Sequence, residues 1–307
     1  MAHPHDHHQH TVSANADRRW LSLALIVLVA FMLVEVVIGI LASSLALISD
    51  AGHMLTDAGA IGLSLFAMHM AQQPARGSYT YGFKRVEILS AQANGITLLL
   101  LSAWFVYEAV MRLIEPPEVK GLVVFVTAIA GIGVNLVVVW LMAKADRSSL
   151  NIEGSFQHIL TDLYAFIATA VAGGLIWLTG WNRLDAVAAL IVAALMLRAG
   201  YGLVRDSGRV FLEAAPRNID PQAVCEAMLD QAHVTRVDDL HIWEVTSGLP
   251  ALSAHVYVSL EVDCHDIRRD IEAMLHERFA IAHVTLQTDH AEVQTQDEQS
   301  AACEHCG

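Results

Sequence analysis

Charge is scarce in this chain. Only 16% of its 307 residues are Asp, Glu, Lys or Arg, 55% are hydrophobic, and the mean hydropathy is +0.46. That balance excludes an ordinary soluble globule and suits a protein that crosses a membrane several times. Basic residues are scarcer still: 18 Lys and Arg stand against 32 Asp and Glu, a formal net charge of -14. Such a field attracts cations and argues against nucleic acid as a partner. Cys225, Cys264, Cys303 and Cys306 form no disulfide framework and are expected as reduced thiols facing the cytosol. No cleavable signal peptide is expected, because the first 19 residues are polar and His-rich and the apolar run from Trp20 is long enough to span.

The scarce charge is unevenly spread. From Glu213 onward there are 18 acidic and 5 basic residues, a net of -13, which leaves -1 for everything before. The earlier part holds six apolar stretches, near Trp20–Leu41, Leu45–Met70, Val86–Ile114, Gly121–Ala143, Ile152–Leu178 and Leu184–Val204. Each is long enough for a membrane helix of about 20 residues. The breaks are a short turn at Ser43-Ser44, a polar loop at Gln72–Gly77, a stop at Pro116-Pro117, a link at Lys144–Asn151 and an interfacial end at Thr179–Asn182. With six crossings, Arg18, Arg19, Arg76, Lys84, Arg85, Lys144, Arg147, Arg205 and Arg209 fall on one side. Lys120 and Arg183 fall on the other, with Arg112 near its rim. The positive-inside rule then puts both termini in the cytoplasm, with the chain in the cell's inner (plasma) membrane.

After Pro216 the pattern becomes amphipathic. Asp220–Ala232 and Asp266–Phe279 read as helices; Val237–Val245, Leu252–Glu261 and Val284–Thr288 read as strands. The predicted fold is a six-helix membrane domain followed by a small α+β cytosolic domain of order α-β-β-α-β, with helices on one face of an open sheet. The expected divisions are a His-rich tail at 1–15, the membrane domain at 16–212, the cytosolic domain at 213–291 and a disordered tail at 292–307.

Two spellings carry the chemistry: His53-Met54-Leu55-Thr56-Asp57 and His158-Ile159-Leu160-Thr161-Asp162. In each, histidine and aspartate are four residues apart, so they share one helix face. A charged aspartate at the bilayer centre costs about 2.5–3.5 kcal/mol on insertion scales, so each helix needs a compensating partner. Two such helices facing each other offer His53, Asp57, His158 and Asp162 around one point, a ligand set for tetrahedral zinc. Hydrogen bonding within each separate helix is the plainer alternative. Asp50 reads as a cap or lining group, and Glu35, Asn94, Asn135 and Gln157 read first as helix–helix hydrogen bonders.

A second candidate lies in the soluble part. His241 and His255 are equidistant from Gly248, so a hairpin turning there sets them opposite each other on paired strands, within reach of one ion. His265, His283 and His290 are possible additional ligands. His3, His5, His7, His8 and His10 suit metal collection equally with a flexible tail, and Cys303, His305 and Cys306 are too few for a closed zinc site.

The segment SLALISDAGHMLTD at Ser44–Asp57, with the later His158/Asp162 pair, resembles the cation diffusion facilitators. Tyr81-Gly82-Phe83-Lys84-Arg85-Val86-Glu87 and Leu240-His241-Ile242-Trp243 also resemble that family, and the likeness runs from about Trp20 to His290. It implies a six-helix transport domain, a ferredoxin-like cytosolic domain, a homodimer and metal export in exchange for protons. The version with two His and two Asp resembles zinc-preferring members, with broader divalent specificity (cadmium, cobalt, iron or manganese) as the alternative. Zinc is then the transported substrate and a regulatory ligand rather than a cofactor. The resemblance also adds Asp289 to His241 and His255 as a cytosolic site, and pairs Arg85 with Glu213 where membrane and soluble parts meet. Histidines that some members carry after the second helix are missing from residues 72–85.

Other classes fit less well. An intramembrane metal hydrolase wants a general base beside the metal, as in His-Glu-x-x-His, yet Met54 and Ile159 follow the two histidines. A membrane metal sensor would need an output segment, and none is expected.

Overall fold

The computed structural model describes residues 10–41, 45–116 and 121–290. Six long helices come first: α1 (His10–Leu41), α2 (Leu45–Ala71), α3 (Val86–Ile114), α4 (Gly121–Met142), α5 (Leu150–Thr179) and α6 (Arg183–Phe211). Apolar runs of this length form helices because each backbone N–H and C=O is then satisfied inside its own segment. Helix α3 stops at Glu115, just before Pro116, and α5 stops at Gly180, whose left-handed φ of 72° lets its N–H reach Ile176 O at 2.8 Å. Two ends depart from expectation: α1 begins ahead of Trp20, and α6 runs past Val204 through Arg205 and Arg209. The turn at Ser43-Ser44 and both tails lie outside the described residues.

Among the described residues, α3, α5, α6 and the Val124–Met142 part of α4 are long and apolar enough to cross a membrane. Their outer faces carry Leu100, Trp104, Trp140, Trp177 and Leu178, each more than half exposed. A hydrocarbon layer covers such a surface, and the chain is a multi-pass membrane protein.

Glycines bring neighbouring helices close. A Cβ placed on Gly121 would lie 2.5 Å from Trp177 N, one on Gly173 would lie 2.9 Å from Phe125 N, and one on Gly131 would lie 2.4 Å from the Phe166 ring. Helices α4 and α5 therefore run antiparallel in backbone contact. Helices α3 and α6 meet likewise at Gly95 and Gly200, and Arg112 Nη1 binds Asp185 Oδ2 across them at 2.9 Å.

The chain divides into two compact units at Ser207/Gly208. Within the second, α6 ends in a Schellman turn: Glu213 takes φ 57°, its N–H meets Val210 O, and Ala214 N–H meets Arg209 O. Then follow α7 (Pro221–Leu229), β1 (Val234–Glu244), β2 (Pro250–Val258), α8 (Cys264–Phe279) and β3 (His283–His290). The carboxylates of Asp220 and Asp263 cap α7 and α8 by accepting the N–H of Gln222 and His265. The sheet order is β1-β2-β3, with β1 antiparallel and β3 parallel to β2. A parallel neighbour needs a crossover, which α8 supplies. Leu240, Ile242, Leu252, Ala254, Val256, Ile271 and Leu275 are buried between sheet and helices, so the helices cover one sheet face.

Gly173 and Gly174 give a paired test. A Cβ on Gly174 meets only the Phe125 ring, at 3.5 Å, whereas Gly173 faces backbone. Gly174→Ala should hold or raise the unfolding temperature, since alanine is the better helix former. Gly173→Ala should lower it, with an overpacking cost of about 1–3 kcal/mol. Thermal unfolding in detergent distinguishes the two.

Candidate metal site

The site rests on how α2 meets α5. Asp57 Oδ1 lies 3.1 Å from His158 Nε2, and two turns along each helix Asn151 Nδ2 donates to Ser64 O at 3.0 Å. One pair climbs α2 while the other descends α5, so the helices are antiparallel and their register is pinned at two levels. Asp162, one turn beyond His158, brings Oδ2 to 3.9 Å from the same imidazole nitrogen. Asp57, His158 and Asp162 each have a ligand atom within 4.8 Å of the other two.

These groups are poorly hydrated. Asp57 is 8% exposed and His158 only 1%. His158 Nδ1 and Asp162 Oδ2 are buried with no hydrogen-bond partner. Two carboxylates and an imidazole gathered in an apolar interior call for positive charge between them, which a divalent cation or protons would supply. His53 sits on α2 one turn before Asp57, at the level of Asp162 in the antiparallel register. Its side chain lies outside the described residues, as do those of Asp50 and Glu35.

A polar belt below the site was not foreseen. Ser64, Asn151 and Ser155 are fully buried, and Asn94 is 3% exposed. The Ser64 and Ser155 hydroxyls touch, Ser64 Oγ donates to Asn151 O at 3.4 Å, and Asn94 Nδ2 donates to Ser155 Oγ at 3.4 Å. The belt ties α2, α3 and α5 together. A signal existed: Ser64 and Asn151 each stand seven residues from a site residue, on the same face of their helix. The expectation of helix–helix bonding fits Asn94. It fails for Gln157 and Asn135, which bond within their own helices to Glu153 Oε1 at 2.6 Å and Gly131 O at 3.2 Å.

The soluble domain corrects the hairpin expectation. His241 is paired with Ser253 and His255 with Asp238, so the two histidines are not opposite each other. The strands resume at Glu244 and Pro250 rather than symmetrically about Gly248, and a bulge between Asp238 and His241, with Asp239 at φ 52°, shifts the register again. His241 and His255 remain diagonal neighbours on the sheet face away from the helices. Asp289 is on that face too, opposite Tyr257, and accepts from Gln287 Nε2 at 2.9 Å. His241 Nε2 lies 2.9 Å from Asp239 Oδ1. Asp263, Cys264 and His265 also converge, but Asp263 is already the cap of α8. Arg85 precedes α3 and Glu213 follows α6, in different compact units. His3, His5, His7, His8, Cys303, His305 and Cys306 lie outside the described residues.

A helical membrane unit with a buried carboxylate–imidazole cluster, joined to a small acidic α+β unit, is the build of a metal cation carrier. Residues 21–212 match the cation efflux transmembrane domain and residues 216–291 match the cation efflux protein cytoplasmic domain. The chain belongs to the cation efflux family, the cation diffusion facilitators, whose members are transporters rather than enzymes. It is 37% identical over 285 residues to the cadmium, cobalt and zinc/H(+)-K(+) antiporter of Bacillus subtilis, with 91% of each chain covered. It is 34% identical to the metal cation efflux system protein CzcD of Cupriavidus metallidurans, covering 99% of this chain and 93% of that one. It is 33% identical to the zinc transporter ZitB of Escherichia coli, covering 94% and 93%.

Asn151→Ala tests the belt. It leaves Ser64 O without its donor in a buried place, a loss of about 1–3 kcal/mol. The unfolding temperature in detergent should fall, and zinc should raise it by less than in the unaltered chain, because the α2–α5 register that spaces the ligands is looser. A full zinc-induced rise would detach the belt from the site.

Proposed function

We propose that this chain exports divalent metal, chiefly zinc, from the cytoplasm in exchange for protons. The convergence of Asp57, His158 and Asp162 from facing sides of two helices carries the reading, and His53 completes a ligand set of two imidazoles and two carboxylates. Six helices cross the membrane, with both termini in the cytoplasm of an inner membrane. The site opens to either side in turn. Metal binds neutral imidazole and ionised carboxylate, so it competes with protons for the same atoms. Protons arriving from outside release the ion and return the carrier.

Broader specificity is the second reading, favoured by a B. subtilis relative named for cadmium, cobalt and zinc. The small domain is ferredoxin-like and forms the contact of a homodimer. His241, His255 and Asp289, on one sheet face, take a regulatory zinc.

Asp57→Ala or Asp162→Ala should abolish zinc uptake into reconstituted vesicles driven by an imposed proton gradient, while leaving the protein inserted. Near-normal uptake by either variant would refute the site. His53→Asp should keep transport and relax it toward cadmium or manganese, since a harder oxygen replaces a nitrogen. Competition between the metals in the same vesicles reads this directly.

A further inference from the structure

Helix α4 contributes no His, Cys, Asp or Glu, yet it carries Asn135, a polar side chain that is only 1% exposed. Its Nδ2 donates to Gly131 O at 3.2 Å, and its Oδ1 is buried without a partner. An amide oxygen in that condition is costly unless something positive meets it.

What it faces follows from the contact of α4 with α5. Gly121 is level with Trp177, Phe125 with Gly173, and Gly131 with Phe166, whose ring lies 2.4 Å from where a Gly131 Cβ would be. The two helices are antiparallel, so one turn beyond Gly131 on α4 is one turn before Phe166 on α5. Those positions are Asn135 and Asp162. Gly131 and Asn135 share a face of α4, and Phe166 and Asp162 share a face of α5. Asn135 is therefore level with Asp162, whose Oδ2 is also buried without a hydrogen bond, 3.9 Å from His158 Nε2. Two oxygen acceptors at one level of facing helices gain from a cation set between them.

We infer that Asn135 Oδ1 is a further, neutral oxygen ligand of the metal site, supplied by α4. The inference rests on the transport reading above and adds a third helix to the site. Zinc is content with four ligands, whereas the larger manganese and cadmium ions take more. The extra oxygen is thus the element that admits ions of higher coordination number, and it ties α4 to the loading of α2 and α5.

The test is metal competition in reconstituted vesicles, with zinc, cadmium and manganese. Asn135→Ala should slow every ion and slow cadmium and manganese about tenfold more than zinc; Asn135→Asp, which keeps an oxygen, should restore most of that ratio. Asn135→Ser preserves the bond to Gly131 O but is too short to reach the site, so it should behave as alanine even if the alanine variant folds poorly. Calorimetric titration of the purified chain should show the same tenfold loss of cadmium affinity relative to zinc. Equal slowing of all three ions, or an unchanged ratio, would overturn the inference and leave Asn135 a packing residue. Asp162→Ala, run alongside, separates the two readings: if it still transports zinc, the site itself is wrong; if it does not, an unchanged ratio in the Asn135 variants sinks only the α4 ligand.

Discussion

Two carboxylates cannot share a dry interior without a counter-charge, and the membrane unit is organised around that constraint. Removing an ion from water costs several kcal/mol even after relaxation, so Asp57 and Asp162 are tolerable only beside a cation or protons. His158, 3.1 Å from one and 3.9 Å from the other, stands where either can be exchanged. In the proposed function the same groups that make the interior costly would make it a carrier, because the compensating charge is not part of the chain and can leave.

The proposed exchange demands ligand spacing that survives helix motion. The Ser64–Asn151 and Ser64–Ser155 contacts hold α2 to α5 two turns from the site, and Asn94 draws in α3. Buried neutral hydrogen bonds suit this task, since they fix register without adding a charge that competes for the ion. Glycine contacts do the complementary work by setting α4 against α5 and α3 against α6 at backbone distance. The helices are thus joined by short-range contacts, and the Asp57, His158 and Asp162 cluster sits between helices rather than within one.

Much of this was legible in the chain. Apolar length marked the long helices, because a membrane helix needs a fixed number of residues, and the i,i+4 spacing of His53/Asp57 and His158/Asp162 pointed to the cluster that Asp57, His158 and Asp162 form. The polar belt stayed hidden because Ser64 and Ser155 are common in membrane helices and acquire meaning only when two helices are in register. The hairpin reading failed for a related reason. Symmetry about Gly248 set the turn one residue late, since Glu244 pairs with Pro250 and the ladder centres on Ser247, and the bulge at Asp239, an ordinary aspartate in the left-handed region, shifts the register further. Helix boundaries moved where charged residues continue a helix past its apolar run, as Arg205 and Arg209 do in α6.

The central claim is that one zinc ion is held inside the membrane unit by imidazole nitrogen and carboxylate oxygen. X-ray absorption at the zinc edge addresses it most directly. The sample is the full chain with His241→Ala, His255→Ala and the N-terminal histidines removed, loaded with one equivalent of zinc. The account predicts four nitrogen or oxygen neighbours at about 2.0–2.2 Å, with the scattering signature of two imidazoles that falls to one in His158→Ala. A sulfur shell near 2.3 Å, or a hydrated ion with no imidazole signature, would contradict it.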